Sequence, residues 1–244
     1  MDYEIISTGK IVLKHIIYNE NISEELLSKI SIYWNDYIKS KNSSVFNDKV
    51  LRFVRINPNN KNEINVTFTD YKNIIVDRNF LNSSLGFYQV GVSGLILINE
   101  QRDNFILFAK RSKNVTEYPN FYELVPSGNL DKSVLDKDGT INFNLKILDE
   151  FKEETGLSDS IINNMYSFCF VIDNINHVYD VCCILELNID RNLLNDSFKN
   201  VSEFYSPCFV DVKNLQNFLI EHESKIVPTS KAILQCFLEK TNNS

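Results

Sequence analysis

The pattern of apolar and polar positions changes character near residue 86. Before it, residues 5–17 are rich in β-branched side chains and predict one or two strands. Asn21 or Ser23 is placed to cap a helix reaching about Tyr37, with Leu26, Leu27, Ile30, Ile32 and Tyr33 at helical spacing. Asn47-Asp48 is a hairpin signal, since both residues tolerate positive φ, and residues 64–69 alternate as a strand does. After residue 86, GVSGLILI and NFILFAKR predict two apolar strands around a polar turn at 99–103. A polar stretch runs to Thr140. A helix over 142–155 follows, with Phe143, Ile147, Leu148 and Phe151 on an inner face and Gly156 suited to end it. Strands are expected at 166–172, 178–187 and 207–211, then helices at 212–223 and 229–239. Strands and helices mix without a regular βαβ repeat, which gives an α/β or α+β class with a mixed sheet.

Composition narrows the class. The 244 residues accommodate a core domain of about 150 residues with a smaller added unit. The boundary falls between an N-terminal α+β extension, 1–85, and a main domain, 86–244. The junction RNFLNSSLGFYQV is short and half apolar, so the extension is expected to pack on the main domain or on a partner subunit. Hydrophobic residues make up 43%, enough for a core, and the net charge of -7 disfavours a nucleic-acid partner, whose phosphates need a positive face. Five cysteines lack C-x-x-C spacing and only three histidines accompany them, which argues against a zinc cage and for buried thiols in a reducing compartment. The N-terminus MDYEIISTGK does not read as a signal peptide and no apolar run is long enough to span a membrane, so a soluble, cytoplasmic protein is expected.

The chemistry is concentrated in LDEFKEETGL, residues 148–157. Glu150, Glu153 and Glu154 stand at i, i+3 and i+4, which a helix brings to one side. Carboxylates crowded in this way repel one another, and a hard divalent cation, Mg²⁺ or Mn²⁺, relieves the repulsion.

These residues resemble the signature of the Nudix hydrolases, G-x5-E-x7-R-E-U-x-E-E-x-G-U with U apolar. Residues 150–157 match its E-U-x-E-E-x-G-U part throughout, and AKRS followed by FYELVPSG resembles the segments leading into it. The resemblance covers about residues 86–239. It implies an α/β/α sandwich with a mixed sheet, carrying here an N-terminal helix and β-hairpin extension. It further implies metal ligation by Glu150, Glu153 and Glu154; the catalytic candidates are Glu153, Glu154 and, outside the box, Glu203. The water-activating base stays open among Glu154, Glu203, Asp180 and Glu186. Lys110, Arg111 and Gly128 are the substrate-binding candidates. Two departures stand out. Gly128 precedes Glu150 by 22 residues where the family's glycine precedes by 15, so an insertion falls in 131–140, and the family's isolated glutamate would land on Val134 or Ile141. Asp149 replaces the arginine that pairs with a box glutamate. The implied activity is metal-dependent cleavage of the diphosphate of a nucleoside diphosphate linked to another moiety, such as a sugar, by a chain that can form a homodimer. The competing expectation is a Nudix-like nucleotide-binding or regulatory module with decayed hydrolysis. A relative of isopentenyl-diphosphate isomerase needs more histidines than the chain has.

Overall fold

A computed structural model describes residues 1–18, 22–41, 46–115, 117–198 and 203–242. Seven strands follow one another across an 11-stranded mixed sheet: β1 (Tyr3–Thr8), β9 (Ile162–Asp173), β10 (Val178–Leu187), β5 (Gln89–Glu100), β3 (Lys49–Asn57), β4 (Asn60–Asp70) and β2 (Val12–His15). From β5 the sheet branches through β6 (Asp103–Arg111), which pairs with β7 (Tyr122–Leu124) and β11 (Phe204–Asp211), while β8 (Ser127–Asn129) lies against the start of β5. The two-residue side-chain period sorts the apolar residues to the two faces. Val90, Val92, Ile96 and Ile98 of β5 join the cluster under helix α3 (Phe143–Thr155), and Leu95 joins the cluster under α6 (Pro228–Asn242) and α5 (Leu215–His222). The result is the expected α/β/α sandwich. Cys169, Cys182, Cys183 and Cys236 are buried, free thiols. Among the described residues no helix is long and apolar enough to cross a membrane.

The extension is woven into this sheet. Leu13, Leu51, Ile64 and Val66 share one core cluster with Val92, Phe151 and Phe170. The polar insertion fastens the join: Val50 bridges Asp131, the His15 N–H donates to the Gly139 carbonyl at 2.8 Å, and the Ile141 N–H donates to the Leu13 carbonyl at 3.1 Å. Helices α1 (Glu24–Lys41) and α2 (Tyr71–Phe80) pack on each other through Ile30, Trp34, Tyr37, Ile75 and Val76.

Two local expectations change. Asn47-Asp48 does not turn a hairpin. Their carboxamide and carboxylate accept the backbone N–H groups of Lys72 and Lys49, and the β3–β4 hairpin turns at Pro58-Asn59 instead. The buried stripe of α1 runs Ile30, Trp34, Tyr37, leaving Leu27 and Ile32 44% and 59% exposed; the bulkiest rings, rather than the most aliphatic positions, choose the packed face. Asn21 lies outside the described residues, and the Ser23 hydroxyl accepts the Leu26 N–H at 3.2 Å as a cap does. Helices α2 and α4 (Arg191–Ser197) have no counterpart in the sequence reading. The first is held by buried Asp77, whose carboxylate accepts the N–H groups of Leu85 and Phe87 and so steers the chain into β5.

Candidate active site

Helix α3 exists because Phe143, Ile147 and Phe151 recur every four residues and bury against the sheet, and because Gly156 ends it in the left-handed region at φ 72°. That packing sets the rotation of the helix. Glu150 and Glu154, one turn apart, point toward β8, whereas Glu153 lies about 100° around the axis from Glu154 and is exposed. Glu154 is 2% exposed, and both its carboxylate oxygens accept the Ser127 N–H, at 3.2 and 3.3 Å. Gly128 is needed next to it. A Cβ there would collide with the Glu150 carboxylate, which lies across the glycine.

In front of these residues is a hollow of about 270 Å³ whose walls carry Glu117, Glu123, Glu150, Asp173, Asp180 and Glu203 against one base, Arg111. Burial, then the charges of Glu123, Glu150 and Glu203, pushes the Glu154 carboxyl well above the usual range. Burial also raises Glu123, opposed by its ion pair with Arg111, and raises Glu150, opposed by Lys146 at 2.7 Å. Asp180, under Gly91 and in hydrogen-bond contact with Thr229 and Ser93, is pushed up to about 7, mainly by burial and next by Glu123. The Tyr118 hydroxyl donates to Asp173 at 2.7 Å. A larger hollow of about 840 Å³ lies among β1, β9, α3 and α6, but its walls include a single carboxylate, Glu239. Charge density, not size, therefore marks the smaller one.

The candidates divide accordingly. Glu150, Gly128, Arg111, Glu203 and Asp180 line the hollow, and Glu154 lies directly behind it. Glu153 and Glu186 do not line it, and Lys110, one residue from Arg111 and so on the other side of β6, holds its ammonium over the Tyr122 ring at 4.8 Å. The pairing lost with Asp149, which is exposed, is made instead by Lys146 one turn before Glu150. Val134 and Ile141 are core residues. Glu123 and Asp173 were not legible as site residues, although a lone carboxylate inside the apolar run FYELVP is a signal for the first.

The donor set fits a hard divalent cation: several buried carboxylates with raised proton affinity, an excess of negative charge, and a glycine that lets Glu150 lie close over β8. As the side chains stand, no three donors among the described residues converge on one point, because Glu150 is drawn to Lys146, Glu123 to Arg111 and Glu154 to the Ser127 N–H.

No family model and no curated protein matches the chain. Solved Nudix structures resemble it in fold. The Nudix domain of Shewanella oneidensis NrtR complexed with ADP ribose aligns at 11% identity and TM-score 0.46, over 68% of this chain and 97% of that one. NrtR with a 27mer DNA aligns at 13% and 0.45, over 63% and 62%. The Francisella tularensis NMN adenylyltransferase/ADP ribose pyrophosphatase complexed with AMP and Mn ion aligns at 14% and 0.44, over 69% and 46%.

Proposed function

We propose that the chain is a divalent-cation-dependent diphosphate hydrolase acting on a nucleoside diphosphate joined to a second moiety. The observation that carries this is that Glu150, Glu123 and Arg111 line one hollow beside Gly128, with Glu154 directly behind it. Glu150 and Glu154 would hold Mg²⁺ or Mn²⁺, which when bound neutralises diphosphate oxygens and lowers the pKa of water. Arg111 is positioned to exchange Glu123 for a phosphate oxygen, a bidentate match for its guanidinium. Glu203, an exposed residue that lines the hollow, takes the proton from the attacking water. Asp180 lies deeper, held by Thr229, and sets the field rather than moving protons. Glu153 contributes long-range charge only. The net negative charge of the chain suits a small ligand brought in with a cation rather than a nucleic acid.

The test is release of nucleoside monophosphate from a panel of ADP-ribose, ADP-glucose, diadenosine diphosphate and ATP, with Mg²⁺ or Mn²⁺ and with EDTA. Cation-dependent monophosphate release from at least one linked diphosphate is expected. No turnover of any of them with either cation overturns the proposal. One observation favours a second reading, a binding module without turnover: the Lys146 ammonium already neutralises Glu150, the place a cation would take. Cation-independent binding of the same compounds without product would establish it.

A further inference from the structure

A second hollow, of about 590 Å³, adjoins the carboxylate hollow and shares Arg111, Glu117, Asn129, Val178 and Glu203 with it. Its far wall is built by the N-terminal extension: Tyr37 from α1, and Tyr71, Arg78 and Asn79 from α2. The chemistry of this wall differs from that of its neighbour. Two guanidiniums, Arg78 and Arg111, face two carboxylates, Glu117 and Glu203, so the space is close to neutral. Arg78 Nη1 donates to Glu117 Oε1 at 2.5 Å, while its Nε and Nη2 are buried without a hydrogen-bond partner. Buried donors left in that state cost free energy that an acceptor on a ligand recovers.

Amides dominate the rest: Asn79, Gln89, Asn114, Asn129 and Asn176. Asn79 donates one N–H to the Ile75 carbonyl, Gln89 one to Asn129 and Asn176 one to Asp173, and the second N–H of each carboxamide and its oxygen match hydroxyl groups, which also give and take. The two tyrosines that line this space are already packed against a ring of the protein. Tyr37 stacks on Trp34 with centroids 5.9 Å apart, and Tyr71 meets Trp34 edge-on at 6.4 Å. A third phosphate is disfavoured by Glu117 and Glu203, and a nucleobase would have to share the two tyrosines with Trp34, which packs on both.

We infer that the hollow walled by α2 of the extension takes the sugar of a nucleoside diphosphate sugar whose diphosphate lies in the carboxylate hollow beside it. Arg78 and Asn79 read its hydroxyls. The generic diphosphate site thereby gains selectivity from a unit that lies outside the Nudix-like domain. This rests on the diphosphate reading of the first hollow but not on turnover there.

Calorimetric affinities for ADP-glucose, ADP-ribose and ADP, measured with Ca²⁺ on the full chain, test it. A sugar-bearing ligand is expected to bind about tenfold more tightly than ADP, and Asn79→Ala and Asn129→Ala to reduce that ratio roughly fivefold. Saturation-transfer NMR on the unaltered protein gives the same answer without a variant: the protons of the distal sugar receive the strongest transfer. Equal affinity for ADP and both sugar compounds overturns the inference, as does a preference that neither variant alters. A loss of discrimination between ADP-glucose and UDP-glucose in these variants, with the sugar preference intact, assigns the hollow to the base and also overturns it. Sugar-selective binding without AMP release refutes the hydrolase proposal alone; turnover blind to the sugar refutes this inference alone.

Discussion

At Glu154, burial and like charge act in the same direction. The carboxyl is enclosed, receives one backbone N–H, and faces Glu123, Glu150 and Glu203, so it loses most from lacking a cation and gains most from acquiring one. Glu154→Gln should therefore lower cation-dependent turnover by roughly tenfold or more, while Glu153→Gln, an exposed substitution, stays within about twofold. Initial rates at saturating Mg²⁺ compare the two; equal losses would put the exposed residue back in the site. The i, i+3, i+4 spacing alone placed all three glutamates together. The helix rotation that separates Glu153 from the others is decided by Phe143, Ile147 and Phe151 packing on the sheet, which spacing within the motif does not contain. The same applies to the missing arginine. Because Lys146 already pairs with Glu150, Asp149→Arg is expected to leave turnover and cation affinity unchanged, whereas Lys146→Ala should alter the cation affinity. A gain of activity in Asp149→Arg would show that Lys146 does not stand in for the lost base.

Helix α3 and strand β8 form a unit in which one side chain is allowed by the absence of another. Gly128→Ala places a methyl where the Glu150 carboxylate lies, and the glutamate, being the flexible partner, is displaced rather than the strand. Turnover should fall by about tenfold while the melting temperature moves little, measured by initial rates beside thermal unfolding. A large drop in melting temperature with normal rates would mean that the glycine serves the fold. Elements with a strong period were readable: α3 ends at Thr155 as expected from Gly156, and β10 spans Val178–Leu187 as read from the sequence. Helix α2 was not. Asn73 and Asp77 are buried among its apolar residues, so its pattern is not that of an amphipathic surface helix, and its place depends on contacts with α1 and on backbone N–H groups beyond its end. The second hollow was illegible for the same reason, since α2 supplies Arg78 and Asn79.

Across the whole molecule, the extension and main domain share one core, and the carboxylate hollow stores unfavourable charge within it. Removing residues 1–80 strips Leu13, Leu51, Ile64 and Val66 from Val92 and Phe170. The truncated chain should be insoluble, which centrifugation of the expressed protein checks. A soluble truncation with native unfolding behaviour would contradict the shared core. The pH dependence follows from Asp180, held at about 7 in the folded state by burial and by Glu123, against about 3.9 in an unfolded chain. Between those values the folded protein binds more protons than the unfolded one, so stability falls as pH rises through this window, and Glu154 and Glu123 act with the same sign. In EDTA the melting temperature should drop from about pH 5 to about pH 8, Asp180→Asn should flatten the curve, and Mn²⁺ should restore more at the higher pH. Titration of Mn²⁺ followed by electron paramagnetic resonance at about pH 8 tests the cation site most directly. The arrangement of α3 predicts binding by the wild-type chain and by Glu153→Gln, with affinity roughly tenfold or more weaker in Glu154→Gln. No bound Mn²⁺ in the wild-type chain, or equal affinity in Glu154→Gln, would contradict it.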